Sequence, residues 1–222
     1  MTTTLTELPA AVLWDMDGTL VDTEPYWINA EHALVEEHGG TWTEELAHQL
    51  VGNALIVSAE FIRDNSPVDL EPVAIVEELL QRVIAQVKEH IPWRPGAREL
   101  LEDLHRHGVP CALVTMSWRS LADAVLGALP GEWFAAVITG DEVTHGKPHP
   151  EPYLAAARAL GVEPSACIAI EDSPTGVRSA IDAGVPTLAV PHVVPVPVTA
   201  GATQIPSLRG LGAGDLRPAA GL

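Results

Sequence analysis

The feature that most constrains this chain is residues 11–24, where a short apolar run leads directly into two aspartates. The run from Ala11 to Trp14 predicts a buried strand, after which come Asp15, Asp17 and Gly18. In α/β folds, ligands bind beyond the carboxyl ends of such strands. Gly18 lets the chain turn, so both carboxylates can face one pocket, where their repulsion predicts a cation beside them. A polar strand end followed by a turn is the simpler alternative.

Strand-like and helical segments alternate through most of the remaining chain. Helices are predicted over 97–107, 118–128 and 151–160 and after Ser173, with Ser117 as the cap of the second. The predicted strands are 11–14, 109–115, 135–138, 166–170 and 187–190. This alternation predicts an α/β fold with a Rossmann-like parallel sheet and helices on both faces. The segment after about 191 is rich in Pro, Gly and Val, and its last dozen residues are expected to be loose.

Residues 25–91 differ from the rest because they show helical spacing and no strand pattern. A first helix begins near Pro25 and ends at Gly39, and further helices are predicted at about 43–51, 54–64 and 71–90. The turn-rich stretch from 91 to 96 marks the return to the main domain. We therefore expect a core domain formed by 1–24 and 92–222, with a small α-helical cap domain, 25–91, inserted after the first strand.

Charge and composition exclude several classes of partner. The formal net charge is −18, with 12 basic and 30 acidic residues, so nucleic acid and anionic membrane surfaces are not expected partners. No apolar stretch is long enough to span a bilayer, and the N-terminus lacks the basic flank of a secretory signal and is expected to be a short tail. Cys111 and Cys167 lie in apolar runs, which predicts buried thiols in a reducing cytoplasm. The oligomeric state stays open, and a monomer is compatible with the sequence.

Polar clusters follow several of the predicted strands. Parallel strands bring their carboxyl ends to one edge of the sheet, so these clusters should converge. Lys147 is one of only two lysines in the chain, which argues against chance as the reason for its place in such a cluster. The clusters are Asp15 with Asp17, Thr115 with Ser117, Lys147, and Glu171 with Asp172 and Ser173.

This set of side chains points to phosphoryl chemistry. Carboxylate oxygens without cysteine or paired histidine suit a hard cation, Mg²⁺ before Zn²⁺, and Mg²⁺ with open positions usually holds a phosphate. Lys147 offers a positive charge and Thr115 a hydroxyl donor to a phosphoryl group. One carboxylate can attack phosphorus while a second acts as acid and then as base. The residues alone do not say which aspartate attacks.

Four motifs occur in order, each at the end of a predicted strand: DMDGTLVDTEP, LVTMS, GKPHPEPY and IEDSPTGVRSA. Together they resemble the motifs of the haloacid dehalogenase superfamily of phosphohydrolases. The likeness covers residues from about 11 to 190 and is greatest to the β-phosphoglucomutase-like branch, which also contains phosphatases. In that branch a small helical cap follows the first motif. The aspartate at 17 favours phosphate chemistry, because dehalogenases of the superfamily lack it.

The resemblance implies a role for each matching residue. Asp15 corresponds to the nucleophile, and Asp17 to the general acid and base, with its backbone carbonyl on the metal. Thr115 and Lys147 correspond to phosphate-stabilising positions, and Lys147 also restrains the nucleophile. Asp172 corresponds to a direct Mg²⁺ ligand and Glu171 to an acidic partner acting through water. The implied metal set is thus Asp15, Asp17, Asp172 and Glu171.

These observations predict a Mg²⁺-dependent phosphatase of a small phosphorylated metabolite, such as a sugar phosphate, acting through an aspartyl-phosphate. A sugar-phosphate mutase is the first alternative, and a catalytically idle relative that binds a ligand or partner is the second. Mutases of this branch carry a histidine after the first motif and an arginine in the cap, where this chain has Trp27 and Leu55. A mutase must grip two phosphates, so loss of the arginine disfavours that activity.

Several neighbouring residues have simpler interpretations. His145 and His149 flank Lys147 and are expected to be solvated, while Thr23 is expected to shape the turn or hinge. Trp14 and Trp27 are expected in packing at least as much as in substrate contact. Arg63, Arg82 and Lys88 could reach a substrate or face solvent.

Overall fold

The computed structural model of the chain describes residues 7–50 and 53–222, and within them six strands form one sheet. The strands are β1 (Ala11–Trp14), β2 (Cys111–Val114), β3 (Ala136–Ile138), β4 (Cys167–Glu171), β5 (Thr187–Ala189) and β6 (Ala202–Gln204). All pair in parallel, in the order β3-β2-β1-β4-β5-β6. This is a doubly wound order, in which the direction of strand addition across the sheet reverses between β1 and β4, and ligands bind at such a reversal.

The helices cover both faces of this sheet, as predicted. Val12 and Trp14 of β1 pack in one apolar cluster with α5 (Ala97–Arg106) and α6 (Arg119–Ala128), while Ala11 and Leu13 pack in another with α7 (Glu151–Leu160) and α8 (Pro174–Asp182). Successive residues of a strand point to opposite faces, so β1 is buried on both sides. The helices are α1 (Glu24–Glu37), α2 (Glu44–His48), α3 (Leu55–Asn65), α4 (Pro72–Glu89), α5 (Ala97–Arg106), α6 (Arg119–Ala128), α7 (Glu151–Leu160), α8 (Pro174–Asp182) and α9 (Leu216–Ala219).

Helices α1 to α4 are inserted between β1 and α5, in the stretch predicted to be helical. The two chain segments that connect the insertion to the core lie side by side. Asp22 N–H donates to Pro92 O at 2.7 Å, and Val21 forms an antiparallel β-bridge with Trp93. The division into domains 1–24 with 92–222 and 25–91 remains a prediction. Residues 1–6 of the predicted N-terminal tail and 51–52 of the insertion lie outside the described residues.

The prediction that Ser117 caps a helix is wrong. Helix α6 begins at Arg119, and its first backbone N–H donates to Asp141 Oδ1 at 3.0 Å. The Ser117 hydroxyl instead donates to Asp17 Oδ2 at 2.8 Å. Ser173, by contrast, caps α8, since its Oγ accepts from Gly176 N–H.

The expectation of loose C-terminal residues is also wrong. Strand β6 extends the sheet, and Leu208, Ala213 and Leu216 are buried in the main apolar cluster. Ala213 N–H donates to Asp103 Oδ2 of α5 at 2.8 Å, which anchors this end of the chain to the core. Burial of apolar side chains offsets the entropy lost on ordering the segment.

The two cysteines are buried and unpaired, as predicted. Burial raises the pKa of the Cys111 thiol to about 12, which keeps it protonated and unreactive. Among the described residues, no helix combines the length and apolar character needed to cross a membrane.

The packed C-terminal segment yields a stability prediction. Leu216→Ala removes a fully buried side chain and should lower the free energy of unfolding by about 2–5 kcal/mol in urea titrations. Leu222→Ala is the matched control, because Leu222 is 54% exposed, and it should cost less than about 0.5 kcal/mol. Equal effects of the two substitutions would show that the segment does not pack as described.

Candidate active site

A buried lysine joins the ends of three neighbouring strands. The Lys147 ammonium, on the loop before α7, donates to Asp15 Oδ1 at 2.7 Å, Val114 O at 2.8 Å and Glu171 Oε1 at 2.6 Å. The Lys147 side chain is 4% exposed, and each of its three N–H donors has an acceptor. Asp15 follows β1, Val114 ends β2 and Glu171 ends β4, so the strand order sets this meeting point.

Glu171 is fully buried and accepts a hydrogen bond from the Lys147 ammonium. Its Oε1 also accepts from the Tyr153 hydroxyl at 2.8 Å, and its Oε2 accepts from the Ser173 hydroxyl at 3.1 Å. A Cβ on Gly176 would lie 1.8 Å from Glu171 Oε1, so α8 can approach this closely only with glycine there. Sequence reasoning gave Tyr153 no role, although it ends the motif GKPHPEPY, and nothing local to the motif indicates its contact with Glu171.

Asp17 lies in a different environment, made of hydroxyl groups. Its Oδ1 accepts from Thr23 at 2.5 Å, and its Oδ2 accepts from Ser117 at 2.8 Å and from Thr115 at 3.2 Å. Thr115 Oγ1 also accepts from Ser117 N–H, so the turn after β2 is held beneath the carboxylate. Thr23 directly precedes α1 and therefore links Asp17 to the inserted helices. Sequence reasoning missed the contacts of Thr23 and Ser117 with Asp17.

Asp172 completes the group of acidic side chains. Thr19 Oγ1 donates to Asp172 Oδ1 at 3.4 Å, a long contact. A Cβ on Gly18 would lie 2.1 Å from Asp172 Oδ2, so glycine allows the first turn to approach this carboxylate. The structure thus brings five of the residues singled out by sequence to one cavity, with Glu171 beneath them: Asp15, Asp17, Thr115, Lys147 and Asp172.

The acidic groups outnumber the positive charge at this site. Burial, together with Glu171, raises the pKa of Asp15 to about 7. Burial, with Asp15 and Glu171, raises the pKa of Asp172 to about 9. Burial works to lower the pKa of Lys147, but Asp15 and Glu171 raise it above its ordinary value. The Lys147 ammonium is thus one positive charge among three crowded carboxyls. A further positive charge would let all of these carboxyls ionise.

The donors present fit a hard divalent cation. One oxygen from each of Asp15, Glu171 and Asp172 lies within 4.8 Å of the others. Asp15 Oδ2 is buried and has no hydrogen-bond partner among the described residues, so it remains free for an ion or a ligand. Carboxylate oxygens in this number suit Mg²⁺.

The inserted helices form the other wall of the cavity, whose volume is about 160 Å³. Trp27 and Leu55 both line it, whereas Trp14 is fully buried in the core. Arg63, Arg82 and Lys88 are not among its lining residues; Arg82, for example, pairs with Glu37 at 2.7 Å. The lining residues contributed by the insertion are Glu24, Trp27, Glu31, Leu50, Asn53, Leu55, Ser58, Val76 and Leu79.

Two carboxyl groups with raised pKa values, both on α1, line this wall of the cavity. Glu31 is 5% exposed and accepts from Trp42 Nε1 at 3.1 Å, and burial raises its pKa to about 8. Burial, with Asp17 and Asp22, raises the pKa of Glu24 to about 7. At neutral pH Glu31 therefore holds a proton and can donate it in a hydrogen bond.

The sequence is similar to those of known hydrolases and phosphatases. The family model of haloacid dehalogenase-like hydrolases matches residues 9–184. The chain is 34% identical over 183 residues to the phosphorylated carbohydrates phosphatase of Thermotoga maritima, covering 79% of this chain and 82% of that protein. It is 32% identical over 195 residues to the bifunctional riboflavin kinase/FMN phosphatase of Arabidopsis thaliana, covering 87% of this chain but only 51% of that protein.

A solved structure resembles the whole fold. A CbbY variant from Rhodobacter sphaeroides, crystallised with xylulose-1,5-bisphosphate, superposes with a TM-score of 0.85 at 29% identity. The match covers 94% of this chain and 99% of that one, so it includes both the sheet and the inserted helices.

The buried carboxyl of Glu31 should make stability depend on pH. Its pKa of about 8 in the fold exceeds the ordinary 4.5, so the folded protein keeps a proton that the unfolded chain releases. The stability contributed by this proton is complete below about pH 4.5 and is lost as the pH rises through about 8. Glu31→Gln stays neutral and can still accept from Trp42. As the pH rises from about 5 to about 8, the free energy of unfolding of Glu31→Gln should increase relative to that of the wild type by on the order of 2–4 kcal/mol.

The measurement is the free energy of unfolding in urea at several pH values. Glu36→Gln is the matched control, because Glu36 is an exposed carboxyl on the same helix. A constant difference for Glu31→Gln would mean that this carboxyl is ionised in the folded protein.

Proposed function

Because the chain belongs to the haloacid dehalogenase-like hydrolases, we propose that it is a Mg²⁺-dependent phosphatase acting on a small phosphorylated metabolite. The observation that carries this proposal is the pair Asp15 and Asp17, which face one cavity from different environments. Lys147 restrains Asp15, while three hydroxyls surround Asp17. Two carboxylates in distinct environments can take the separate roles of nucleophile and acid/base.

Asp15 is the proposed nucleophile. Lys147 holds one carboxylate oxygen, which fixes the side-chain rotamer and directs the group into the cavity. Attack of the carboxylate on phosphorus forms an aspartyl-phosphate while the bond from phosphorus to the ester oxygen breaks. The positive charge of Lys147 also favours the added negative charge of the phosphoryl group in the transition state.

Asp17 is the proposed acid and base. It gives a proton to the leaving ester oxygen, then takes one from the water that attacks the aspartyl-phosphate, so the carboxyl returns to its starting state. Thr23, Ser117 and Thr115 orient this carboxylate in the structure described. The Thr23 hydroxyl belongs to the turn into α1, so movement of the inserted helices would change the setting of Asp17.

Asp15 and Asp172 would hold Mg²⁺, with the backbone carbonyl of Asp17 as a further ligand. When bound, the ion supplies the positive charge that lets crowded carboxylates and a phosphate approach one another. Glu171 lies in the same group of oxygens, but its contacts with Lys147, Tyr153 and Ser173 favour a role in positioning Lys147.

The cavity favours a substrate with a single phosphate and an uncharged remainder, such as a sugar or sugar-alcohol monophosphate. Among its described lining residues, Lys147 is the only lysine or arginine, and it is already paired with Asp15 and Glu171. The opposite wall carries Glu24 and Glu31, which can hydrogen-bond to hydroxyl groups but offer no positive charge to a second phosphate. The resemblance to a carbohydrate phosphatase supports this class. The same lack of cations disfavours a mutase, which must grip two phosphates.

Replacing the nucleophile tests the reaction. Asp15→Asn should lower turnover of an aryl phosphate by roughly 10³-fold or more, because an amide cannot form the acyl phosphate, while circular dichroism and thermal melting show a folded protein. Asp64→Asn, at an exposed aspartate of α3, is the control and should keep full activity.

Chelation of Mg²⁺ should abolish wild-type activity, and readdition of Mg²⁺ should restore it. Full activity of Asp15→Asn, or of the chelated enzyme, would refute the mechanism.

The charge of the cavity predicts substrate choice. The kcat/KM for a hexose monophosphate should exceed that for the bisphosphate of the same hexose by about tenfold or more, which corresponds to about 1.4 kcal/mol. Leu55→Arg places a cation on the cavity wall and should narrow this ratio, whereas Leu55→Gln, which adds polarity without charge, should leave it unchanged. Equal kcat/KM values in the wild type would contradict the single-phosphate proposal.

A further inference from the structure

We propose that His145, His149 and Glu151 form a second metal site, separate from the catalytic cavity, which takes a transition-metal ion such as Zn²⁺. None of the three lines that cavity, and none has a part in the proposed reaction. The sequence suggested only two solvated histidines on the loop around Lys147. The structure adds a carboxylate between them and brings all three side chains together.

The potential ligand atoms lie close to one another. His145 Nδ1 is 2.9 Å from Glu151 Oε2, and His149 Nδ1 is 4.0 Å from the same oxygen. One ligand atom from each residue lies within 4.8 Å of the other two, and the imidazole ring centroids are 4.6 Å apart. Zinc binds imidazole nitrogen and carboxylate oxygen at about 2.0–2.2 Å, so small side-chain rotations would bring all three onto one ion.

The carboxylate of Glu151 is already held in place. It lies in the first turn of α7, where its Oε1 accepts from Thr144 N–H at 2.8 Å and its Oε2 accepts from His145 N–H at 3.0 Å. The backbone of His149 is fixed as well, since its carbonyl accepts from the Ser179 hydroxyl of α8 at 2.6 Å. Ligands on a restrained backbone lose little conformational entropy when an ion binds.

The donor types separate this site from the catalytic one. Two imidazole nitrogens and one carboxylate favour Zn²⁺, Ni²⁺ or Cu²⁺, whereas the all-oxygen group at Asp15 and Asp172 suits Mg²⁺. The side chains of His145 and His149 are 61% and 51% exposed. An ion can therefore reach them directly from solvent and keep water in its remaining position.

The site would tie together two parts of the loop that presents Lys147. His145 and His149 stand on either side of this lysine in the chain, and the Lys147 ammonium points away from them into the cavity, toward Asp15. The unfolded chain has no preformed site of this kind. An ion that binds the folded loop would therefore stabilise the fold.

Isothermal titration of Zn²⁺ into the full chain without a histidine tag, in excess Mg²⁺, tests the proposal. The wild type should bind one equivalent that His145→Ala and His149→Ala each bind at least tenfold more weakly, and Zn²⁺ should raise the melting temperature of the wild type more than that of either variant. His105→Ala is the matched control, because His105 is an exposed imidazole on α5, and it should bind like the wild type.

The same titration in an Asp15→Asn background distinguishes the two sites. Zinc binding should persist there, and because binding is measured directly the result does not depend on phosphatase activity. The proposal is overturned if no equivalent is bound, if both histidine variants bind like the wild type, or if Asp15→Asn removes the binding.

Discussion

The ion pairs of Lys147 with Asp15 and Glu171 are the contacts on which the arrangement of the site depends. Burying three charged groups is costly, and the cost is offset only when each has partners at short range. Lys147 meets this condition because its three donors find acceptors at the ends of β1, β2 and β4. The same contacts therefore fix the geometry of the candidate site and join the ends of three adjacent strands.

The two aspartates of the first motif show how the surroundings distinguish identical side chains. Asp15 faces an ammonium and other carboxyls, whereas Asp17, two residues later, faces hydroxyl groups from two separate turns. The turn at Gly18 allows this separation, since it brings the first loop against Asp172. In the proposed mechanism one aspartate forms a bond to phosphorus and the other moves protons, and neither role could be assigned from residue type.

In the proposed function the inserted helices add selectivity to a site whose chemistry lies at the sheet edge. Their described contribution to the cavity contains no lysine or arginine, and Trp27 and Leu55 line it together with the carboxyls of Glu24 and Glu31. Because these carboxyls are partly desolvated, their raised pKa values make them hydrogen-bonding groups more than fixed negative charges at neutral pH. In the proposed function this wall selects what is attached to the phosphate, and the sheet edge acts on the phosphate itself.

The sequence by itself determined the parallel sheet and the convergence of Asp15, Asp17 and Lys147. Apolar runs that stop at polar residues mark strand ends, and parallel strands place those ends at one edge. Only the tertiary structure decided that Ser117 contacts Asp17 and that Tyr153 holds Glu171. It also decided that the C-terminal segment is packed. These contacts join residues far apart in the chain or involve strands of three residues, so no local periodicity reports them and only packing selects the partners.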